Sequence, residues 1–243
     1  MRRKFAGLIA GAIMAIGAGG VTHAADADQT ALAKGVNGLG VELFAKVAPA
    51  NGSSVFFSPF SVEMALLMAK EGARGQTAAE MTKVLGVEGD GSQIAALLKQ
   101  LNGDSQNDAA RGFSLTVANA LWVEKTFAIL PSFTADLQKT FGTGAAFPED
   151  FIADPEAARK QINTWVSDKT QQKIQDLLPQ GSVGPETRLV LTNAIYFKAS
   201  WQKPFSKEAT EDQPFFAAGG KQVTLPLMHA DHLFAPYAAD DQV

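Results

Sequence analysis

The sequence predicts an α+β fold, and three observations carry the prediction. Apolar residues first recur at intervals of three and four, which indicates several one-sided helices. The period changes to two over residues 113–123, which indicates a strand. Helix and strand patterns then follow one another without regular alternation and end in strand-rich sequence, so a doubly wound parallel sheet is not expected.

Two of the predicted helices carry clear start and stop signals. Ser58 is expected to cap a helix that has Pro59 in its first turn and that stops at Gly72. Residues Thr77–Glu80 have the form of a capping box, which opens a short helix that closes at Gly86. The other helices are predicted over residues 29–48, 92–101 and 131–141 and from Asp154 onward.

The longest predicted strand, Glu186–Trp201, is apolar on both of its alternating faces except at Thr192 and Asn193. A strand of this kind should be covered on both faces and lie in the middle of a sheet. The two polar side chains must then be hydrogen-bonded, or each costs roughly 1–3 kcal/mol. Shorter strands are predicted over Val55–Phe57, 145–147 and Gln222–Met228.

The first residues have the pattern of a secretory signal peptide. The cations of Met1–Lys4 precede a short apolar run, and small residues follow where signal peptidase would cut. We therefore assign residues 1–24 to a signal peptide and 25–243 to the folded domain. A membrane anchor is the alternative, which the short, glycine-rich run disfavours. Export predicts a secreted or periplasmic protein with no membrane contact after cleavage.

Composition excludes several classes of function. The formal net charge is -4 and no basic cluster occurs after Lys4, so nucleic acid is not an expected partner. The chain has no cysteine, which rules out disulfides, thiol catalysis and a cysteine-type zinc site. Hydrophobic residues make up 46% of the chain and charged residues 19%, so its stability is expected to come from a sizeable core.

No convincing catalytic or cofactor site is found in the sequence. Ser200 and Lys203 match the S-x-x-K spacing of penicillin-binding enzymes, but Pro204 argues against the helix that this motif needs. His229 and His232 could share a metal ion, yet no third ligand is evident. There is also no Gly-x-Ser-x-Gly segment and no phosphate-binding loop. The sequence therefore predicts neither an enzyme nor a bound cofactor.

Four further segments of the sequence carry a family resemblance, and they are Val55–Thr77, Asn119–Val123, Ile162–Leu178 and Thr192–Thr210. In this order along the chain they resemble segments of the serpin family. They are similar to the family's helix B with the strand before it, to strand two of its main sheet, to its helix F with the exit from that helix, and to strand three of the main sheet. The resemblance covers nearly all of residues 30–243. Gln172 is a departure, since the family often has glycine or asparagine there, and we expect it to have little effect.

The resemblance implies a serpin fold and names candidate site residues. The asparagine matching Asn193 and the serines matching Ser58 and Ser61 form the shutter, a hydrogen-bonded cluster beneath the main sheet of serpins. Trp201 matches the tryptophan of the breach at the upper end of that sheet. The family implies suicide inhibition of serine, or in some cases cysteine, proteases. The protease cleaves an exposed reactive-centre loop, which then inserts into the main sheet as a new strand.

The reactive-centre loop of this family lies far toward the C-terminus, and this sequence has no counterpart to it. We therefore expect a chain that is incomplete at the C-terminus, covers roughly the first three-fifths of a serpin, and does not inhibit a protease as given. The strand Glu186–Trp201 would then present an apolar edge, which predicts self-association. The alternative is a non-inhibitory serpin that acts as a binding or structural protein.

Overall fold

The computed structural model describes residues 23–48, 55–87, 91–103, 113–143, 146–201, 203–217 and 220–230. This part of the chain forms six helices and five strands. In chain order they are α1 (His23–Val47), α2 (Pro59–Gly72), α3 (Gly75–Leu85), α4 (Ser92–Gly103), β1 (Phe113–Glu124), α5 (Pro131–Phe141), β2 (Phe147–Glu149), α6 (Pro155–Lys169), β3 (Leu189–Ala199), β4 (Glu211–Phe216) and β5 (Gln222–Leu227).

Strands β1, β2 and β3 form one sheet in the order β2-β1-β3. Strand β2 runs parallel to β1, with Trp122 opposite Phe147. On the other side, the Glu124 N–H donates to the carbonyl of Arg188, while Asn193 bonds to Asn119. Residue numbers therefore rise along β1 as they fall along β3, so this pair is antiparallel.

The two faces of this sheet contact different layers of helix. Side chains at odd positions of β1, such as Val117 and Leu121, join the core that α1 to α5 build. At even positions Ala120 and Trp122 join a second cluster, which includes Ala158 and Ile162 of α6. The sheet is thus the middle layer between α6 and the other five helices, and side chains at alternate positions serve separate cores.

The prediction that β3 is covered on both faces is confirmed for residues 189–196, whereas Phe197, Lys198 and Ala199 are exposed. Leu189, Leu191 and Ile195 pack against the larger core, and Val190 packs against the α6 cluster. Within the described residues β1 is the central strand and β3 ends the sheet, so β3 has the edge position expected for this chain and not the mid-sheet position that its apolar pattern alone indicates. An apolar pattern on both faces of a strand indicates that other layers cover the strand above and below. It does not indicate how many strands lie beside it in the sheet.

Two local predictions at the helix starts have different outcomes. The Ser58 hydroxyl accepts a hydrogen bond from the Ser61 N–H at 3.2 Å, so the predicted cap of α2 is confirmed. The predicted capping box is wrong, because α3 already begins at Gly75 and Arg74 is its N-cap. Residues Thr77–Glu80 therefore lie inside the helix. The expected strand Val55–Phe57 is also absent, and these residues form an irregular segment leading into α2.

The described residues fall into two compact units. The first contains α1 to α6 with the three-stranded sheet. The second runs from Ala199 onward and contains a hairpin of β4 and β5, paired from Glu211 opposite Leu227 to Phe216 opposite Gln222. The sequence predicted β5 but not β4, because Pro214 and the polar residues before it resemble a loop. Proline is tolerated in such a two-stranded ribbon, where only one edge of each strand is paired.

No helix in the described ranges is long and apolar enough to cross a membrane. The predicted signal peptide, residues 1–24, lies outside these ranges except for His23 and Ala24, which begin α1.

Candidate functional site

The candidate site is the β1–β3 seam, which we define by Asn119 and Trp122 on β1 and Thr192 and Asn193 on β3. Thr192 and Asn193 are consecutive, so their side chains point to opposite faces of the sheet. On the α6 face, the Trp122 indole N–H donates to the Thr192 hydroxyl at 3.0 Å. Trp122 is 1% exposed and Thr192 4%. Each therefore satisfies the other's polar group in a dry layer.

On the opposite face the seam continues into a helix. The Asn193 amide donates to the Asn119 side-chain oxygen at 2.8 Å, and the Asn119 amide donates to the carbonyl of Phe141 at 3.0 Å. Phe141 is the last residue of α5, so one chain of hydrogen bonds runs from β3 through β1 to a helix end. The side-chain oxygen of Asn193 is buried and has no partner among the described residues. This oxygen can accept a hydrogen bond.

The predicted shutter residues lie in two separate groups. Ser58 and Ser61 form the N-terminal cap of α2, while Asn193 bonds to Asn119 across the seam. Within the described ranges no hydrogen bond joins the serines to Asn193. The role assigned to these three residues by resemblance stays a prediction.

Trp201, the predicted breach residue, belongs to the second compact unit. Its ring meets that of Phe205 edge-on, with ring centroids 5.5 Å apart, and the residue is 55% exposed. Its predicted role is therefore argued from the resemblance alone.

An aromatic cluster surrounds the Trp122 end of the seam. Phe147 of β2 stacks on the Trp122 ring at 4.6 Å between centroids, and Trp165 of α6 meets it edge-on at 5.8 Å. The ammonium of Lys169 lies 5.8 Å from the centre of the Trp165 ring. These contacts add to area burial and hold the ring in one orientation, which directs its N–H at Thr192.

Glu124, at the end of β1, is a buried carboxylate with several donors. One oxygen accepts from the Thr126 N–H and hydroxyl at 3.1 and 2.8 Å, and the other accepts from the Ile152 N–H at 3.2 Å. Burial alone would raise the pKa of this carboxyl. The hydrogen bonds from Thr126 and from the backbone after β2 outweigh it and hold the pKa below its ordinary value.

A polar network, which we call the α6 clamp, ties α6 to the segment that follows it. Its members are Arg159 and Asn163 on the helix and Asp176 and Leu178 beyond it. Arg159 bonds to the Asp176 carboxylate at 2.8 Å and to the Leu178 carbonyl at 2.6 Å. Asn163 donates to the same two residues and accepts from the Leu178 N–H at 2.9 Å. Hydrogen bonds to Glu156 first, and then to Asp176, raise the pKa of Arg159.

The turn that links the end of α6 to Asp176 has an unusual backbone. Gln171 and Gln172 have φ angles of 50° and 61°, in the left-handed region that favours glycine and asparagine. Gln172 is the position at which the sequence departs from the family pattern. We expected this departure to have little effect. The φ angle of Gln172 indicates a cost instead, because a residue with a side chain is strained in this backbone conformation.

The residues of the enzyme alternatives are placed unfavourably for catalysis. Ser200 and Lys203 lie after the end of β3 in segments that are not helical, and Gln202 between them is outside the described residues. His232 is also outside the described ranges, so the proposed pair with His229 cannot be placed. The part of the chain that the structure describes contains no cluster of three or more metal-ligating side chains.

Sequence reasoning required partners for Thr192 and Asn193 but did not identify them. The partners, Trp122 and Asn119, are 70 and 74 residues away in the chain. The available signal was alternation, because Asn119 and Trp122 occupy opposite faces of the predicted strand 113–123, as Thr192 and Asn193 do on theirs.

Comparison with known proteins gives a consistent family. The family model described as "Serpin (serine protease inhibitor)" matches residues 34–243. The chain is 42% identical over 195 residues to the leukocyte elastase inhibitor of Bos taurus, which covers 80% of this chain and 51% of that protein. It is 37% identical over 206 residues to an uncharacterized serpin-like protein of Thermococcus kodakarensis, covering 85% of this chain and 47% of that protein.

Among solved structures, emu (Dromaius novaehollandiae) ovalbumin superposes with a TM-score of 0.73 at 26% identity, covering 82% of this chain and 54% of the ovalbumin chain. The chain spans about half the length of the curated relatives it matches. The predicted fold is confirmed, and the matching family is one of protease inhibitors, not of enzymes.

Proposed function

Because the chain belongs to the serpin family, we propose that it forms the sheet-bearing part of a suicide inhibitor of serine proteases. In this proposal a protease cleaves a reactive-centre loop that lies in the part of the relatives' length this chain does not span. The cleaved loop enters the main sheet beside β3 as a new strand and traps the protease as an acyl-enzyme. The protein is consumed in the process.

The observation that carries the proposal is the free edge of β3. One edge of this strand pairs with β1, and no strand lies beside the other edge in the described ranges. Both faces are covered over residues 189–196, so a new contact along this part of β3 has to be made through its backbone. A row of unpaired N–H and C=O groups is a template for strand addition. The unpartnered oxygen of Asn193 lies on the same strand.

Strand acceptance is testable with the chain as it is. A synthetic strand peptide of small and apolar residues should slow amide hydrogen exchange in β3, with little change in β2. A control peptide with proline at every second position lacks the N–H groups for pairing and should give no protection. Equal protection by both peptides, or none in β3, would refute the free-edge argument.

Inhibition is tested with a longer chain, in which residues 1–243 are continued by the region that the relatives have and this chain does not span. Incubated with elastase-, trypsin- and chymotrypsin-like proteases, it should give a covalent complex that survives SDS with one of them. A protease whose catalytic serine is blocked should give none, and the 243-residue chain should give none with any of them. Cleavage without a complex would contradict inhibition and favour the non-inhibitory alternative. A complex only with papain-like enzymes would move the target to cysteine proteases.

The proposal also includes export to a secreted or periplasmic location, supported by the signal-peptide pattern of residues 1–24. The mature N-terminus measured by mass spectrometry should be Ala25. An intact Met1 on protein found in the soluble cell interior would contradict export.

We expect the 243-residue chain to self-associate through the free edge of β3. Its sedimentation coefficient should rise with concentration, and the strand peptide should suppress the rise because it occupies the same edge. Association that the peptide does not affect would assign it to another surface.

A further inference from the structure

Glu63 is a buried acid in a purely apolar setting. It lies on α2 beside Met64 and is 0% exposed, in the larger core. Neither of its carboxylate oxygens has a hydrogen-bond partner among the described residues. Nothing in the seam or in the proposed mechanism uses this residue, although an unpaired buried carboxylate is among the costliest groups a core can contain.

Three helices meet at this carboxyl, at a junction that we define by Gly35 of α1, Glu63 of α2 and Leu85 of α3. A Cβ placed on Gly35 would lie 2.5 Å from the Leu85 carbonyl oxygen and 3.4 Å from a Glu63 carboxylate oxygen. Glycine at this position thus lets α1 approach the end of α3 closely. The same geometry places the Glu63 carboxyl close to the contact between α1 and α3.

Burial disfavours a negative charge on Glu63. Leu85, whose carbonyl oxygen borders the same Gly35 position as the carboxyl, is the last residue of α3, where the helix dipole is negative. A carboxylate can only accept hydrogen bonds and is repelled by a carbonyl oxygen, whereas a neutral carboxyl has an O–H to donate. Burial raises the pKa of Glu63 to about 7.

Among the residues that the structure describes, no cation compensates the charge. Lys34 of α1 and Lys83 of α3 are exposed to solvent, as is Glu80 of α3. Lys70 lies two turns along α2, on the same side as Glu63, but its ammonium donates to the Val87 carbonyl at 3.0 Å. Burial is the one cause of the shift in the pKa of Glu63, so no charged group of the packed helices acts on it appreciably.

We propose that this junction is a proton-sensitive joint, in which α1 lies firmly against α2 and α3 when Glu63 is neutral and separates more readily when Glu63 is ionised. Separation of α1 would let water reach the carboxylate. The proton therefore favours the closed arrangement, and its loss favours opening. The joint is independent of the free edge of β3, so it can fail or hold whatever the fate of the proposed inhibitory function.

Amide hydrogen exchange of the whole chain at pH 5 and pH 8, corrected for intrinsic rates, tests the joint. Protection of α1 should fall at pH 8 relative to that of β1. A folded pKa of about 7 against an ordinary 4.5 sets a ceiling of roughly 70-fold on the change in opening between pH 5 and pH 8. Glu63→Gln should abolish the difference. Glu42→Gln, an exposed change on α1 itself, should keep it.

Gly35→Ala provides a second variant with the opposite effect. Its methyl group would clash with the Leu85 carbonyl, so α1 should be loosened at both pH values. If Glu63→Gln does not fold, Glu63→Met replaces it, and carbon-13 NMR of the wild-type glutamate carboxyls gives a direct reading. The carboxyl signal that is missing from the spectrum of Glu63→Met should titrate near pH 7. Equal α1 protection at the two pH values, a pH dependence that survives Glu63→Gln, or no carboxyl titrating above pH 6 would overturn the proposal.

Discussion

The β1–β3 seam and the joint around Glu63 both bury polar side chains, yet only the seam supplies partners. In the seam, Trp122 meets Thr192 and Asn119 meets Asn193, at 3.0 and 2.8 Å. In the joint, both oxygens of Glu63 are unpartnered. Paired strands bring polar side chains of distant segments opposite one another. In helices the backbone N–H and C=O groups bond to each other within the helix, so they are not available to a buried side chain of a neighbouring helix.

The contrast is sharpest between two carboxyls of equal burial. Glu124 is 1% exposed and Glu63 0%, but the pKa of Glu124 is lowered and that of Glu63 is raised to about 7. Three donated hydrogen bonds reverse the effect of burial at the end of β1. At Glu124 the hydrogen bonds outweigh burial, whereas at Glu63 burial acts without them, and the two pKa values therefore shift in opposite directions.

The largest effect is expected from Trp122→Phe, which keeps an aromatic ring but removes the N–H that bonds to Thr192. We expect a loss of about 2–3 kcal/mol in the free energy of unfolding, from the lost bond and the space left by the smaller ring. Urea unfolding measures it. Trp165→Phe is the matched control and should cost clearly less. Equal costs would mean that packing alone holds the seam.

Thr192→Val tests the other partner with nearly the same shape. It leaves the Trp122 N–H buried without an acceptor, and the expected cost is about 1–2 kcal/mol. Combined with Trp122→Phe, the double variant should cost less than the sum of the two, with a coupling of about 1 kcal/mol. Additive costs would show that the 3.0 Å contact contributes no specific stability.

Glu124→Gln tests whether the pH dependence of stability from Glu124 is opposite in direction to that from Glu63. Because the folded pKa of Glu124 is lowered, its contribution is present above its ordinary pKa and is lost as the pH falls through the folded value. The variant should melt a few degrees below wild type at pH 7, and this gap should close in acid. Glu186→Gln, on an exposed loop residue, should leave the Tm unchanged.

For Glu63 the pH dependence runs the other way. Its folded pKa is raised, so the unfolded chain loses the proton first and stability falls as the pH rises from about 4.5 to about 7, then levels off. The Tm of wild type minus that of Glu63→Gln should therefore decrease across this window. A flat difference would place Glu63 in contact with water.

The smallest expected effect measures the free-energy cost of backbone strain, which occurs in neither the β1–β3 seam nor the joint around Glu63. Gln172→Gly should stabilise the fold by about 0.5–1 kcal/mol, because glycine adopts the φ of 61° without penalty. Gln175→Gly, in the same segment, should be neutral or destabilising. A destabilising Gln172→Gly would mean that the side chain is used in the fold.

Features with local signals could be predicted from the sequence, and features set by distant pairing could not. The cap at Ser58 depends on residues three positions apart, and it was predicted correctly. The capping box at Thr77 failed because Gly75, with a φ of 57°, begins the helix two residues earlier. The sequence indicated that Thr192 and Asn193 needed partners, but only the β1–β3 register determines which residues provide them.

Glu63 shows a signal that was present and was not used. It falls three residues after Phe60 and four before Leu67, both of which are buried, so its position belongs to the apolar stripe of α2. A glutamate is ordinarily a solvent-exposed residue. A glutamate at the helical spacing of buried apolar residues therefore indicates, from the sequence, a carboxyl whose pKa is shifted by burial.

The contact between the Trp122 and Trp165 rings, edge-on with centroids 5.8 Å apart, also has an optical consequence. Two indoles this close couple their electronic transitions, so the folded chain should show a distinctive near-ultraviolet circular dichroism band. Trp122 fluorescence should also be blue-shifted by its dry surroundings. Because one indole belongs to the sheet and the other to α6, any event that parts the two layers changes both spectra at once. The chain thus has an intrinsic, label-free reporter of the contact between its sheet and α6.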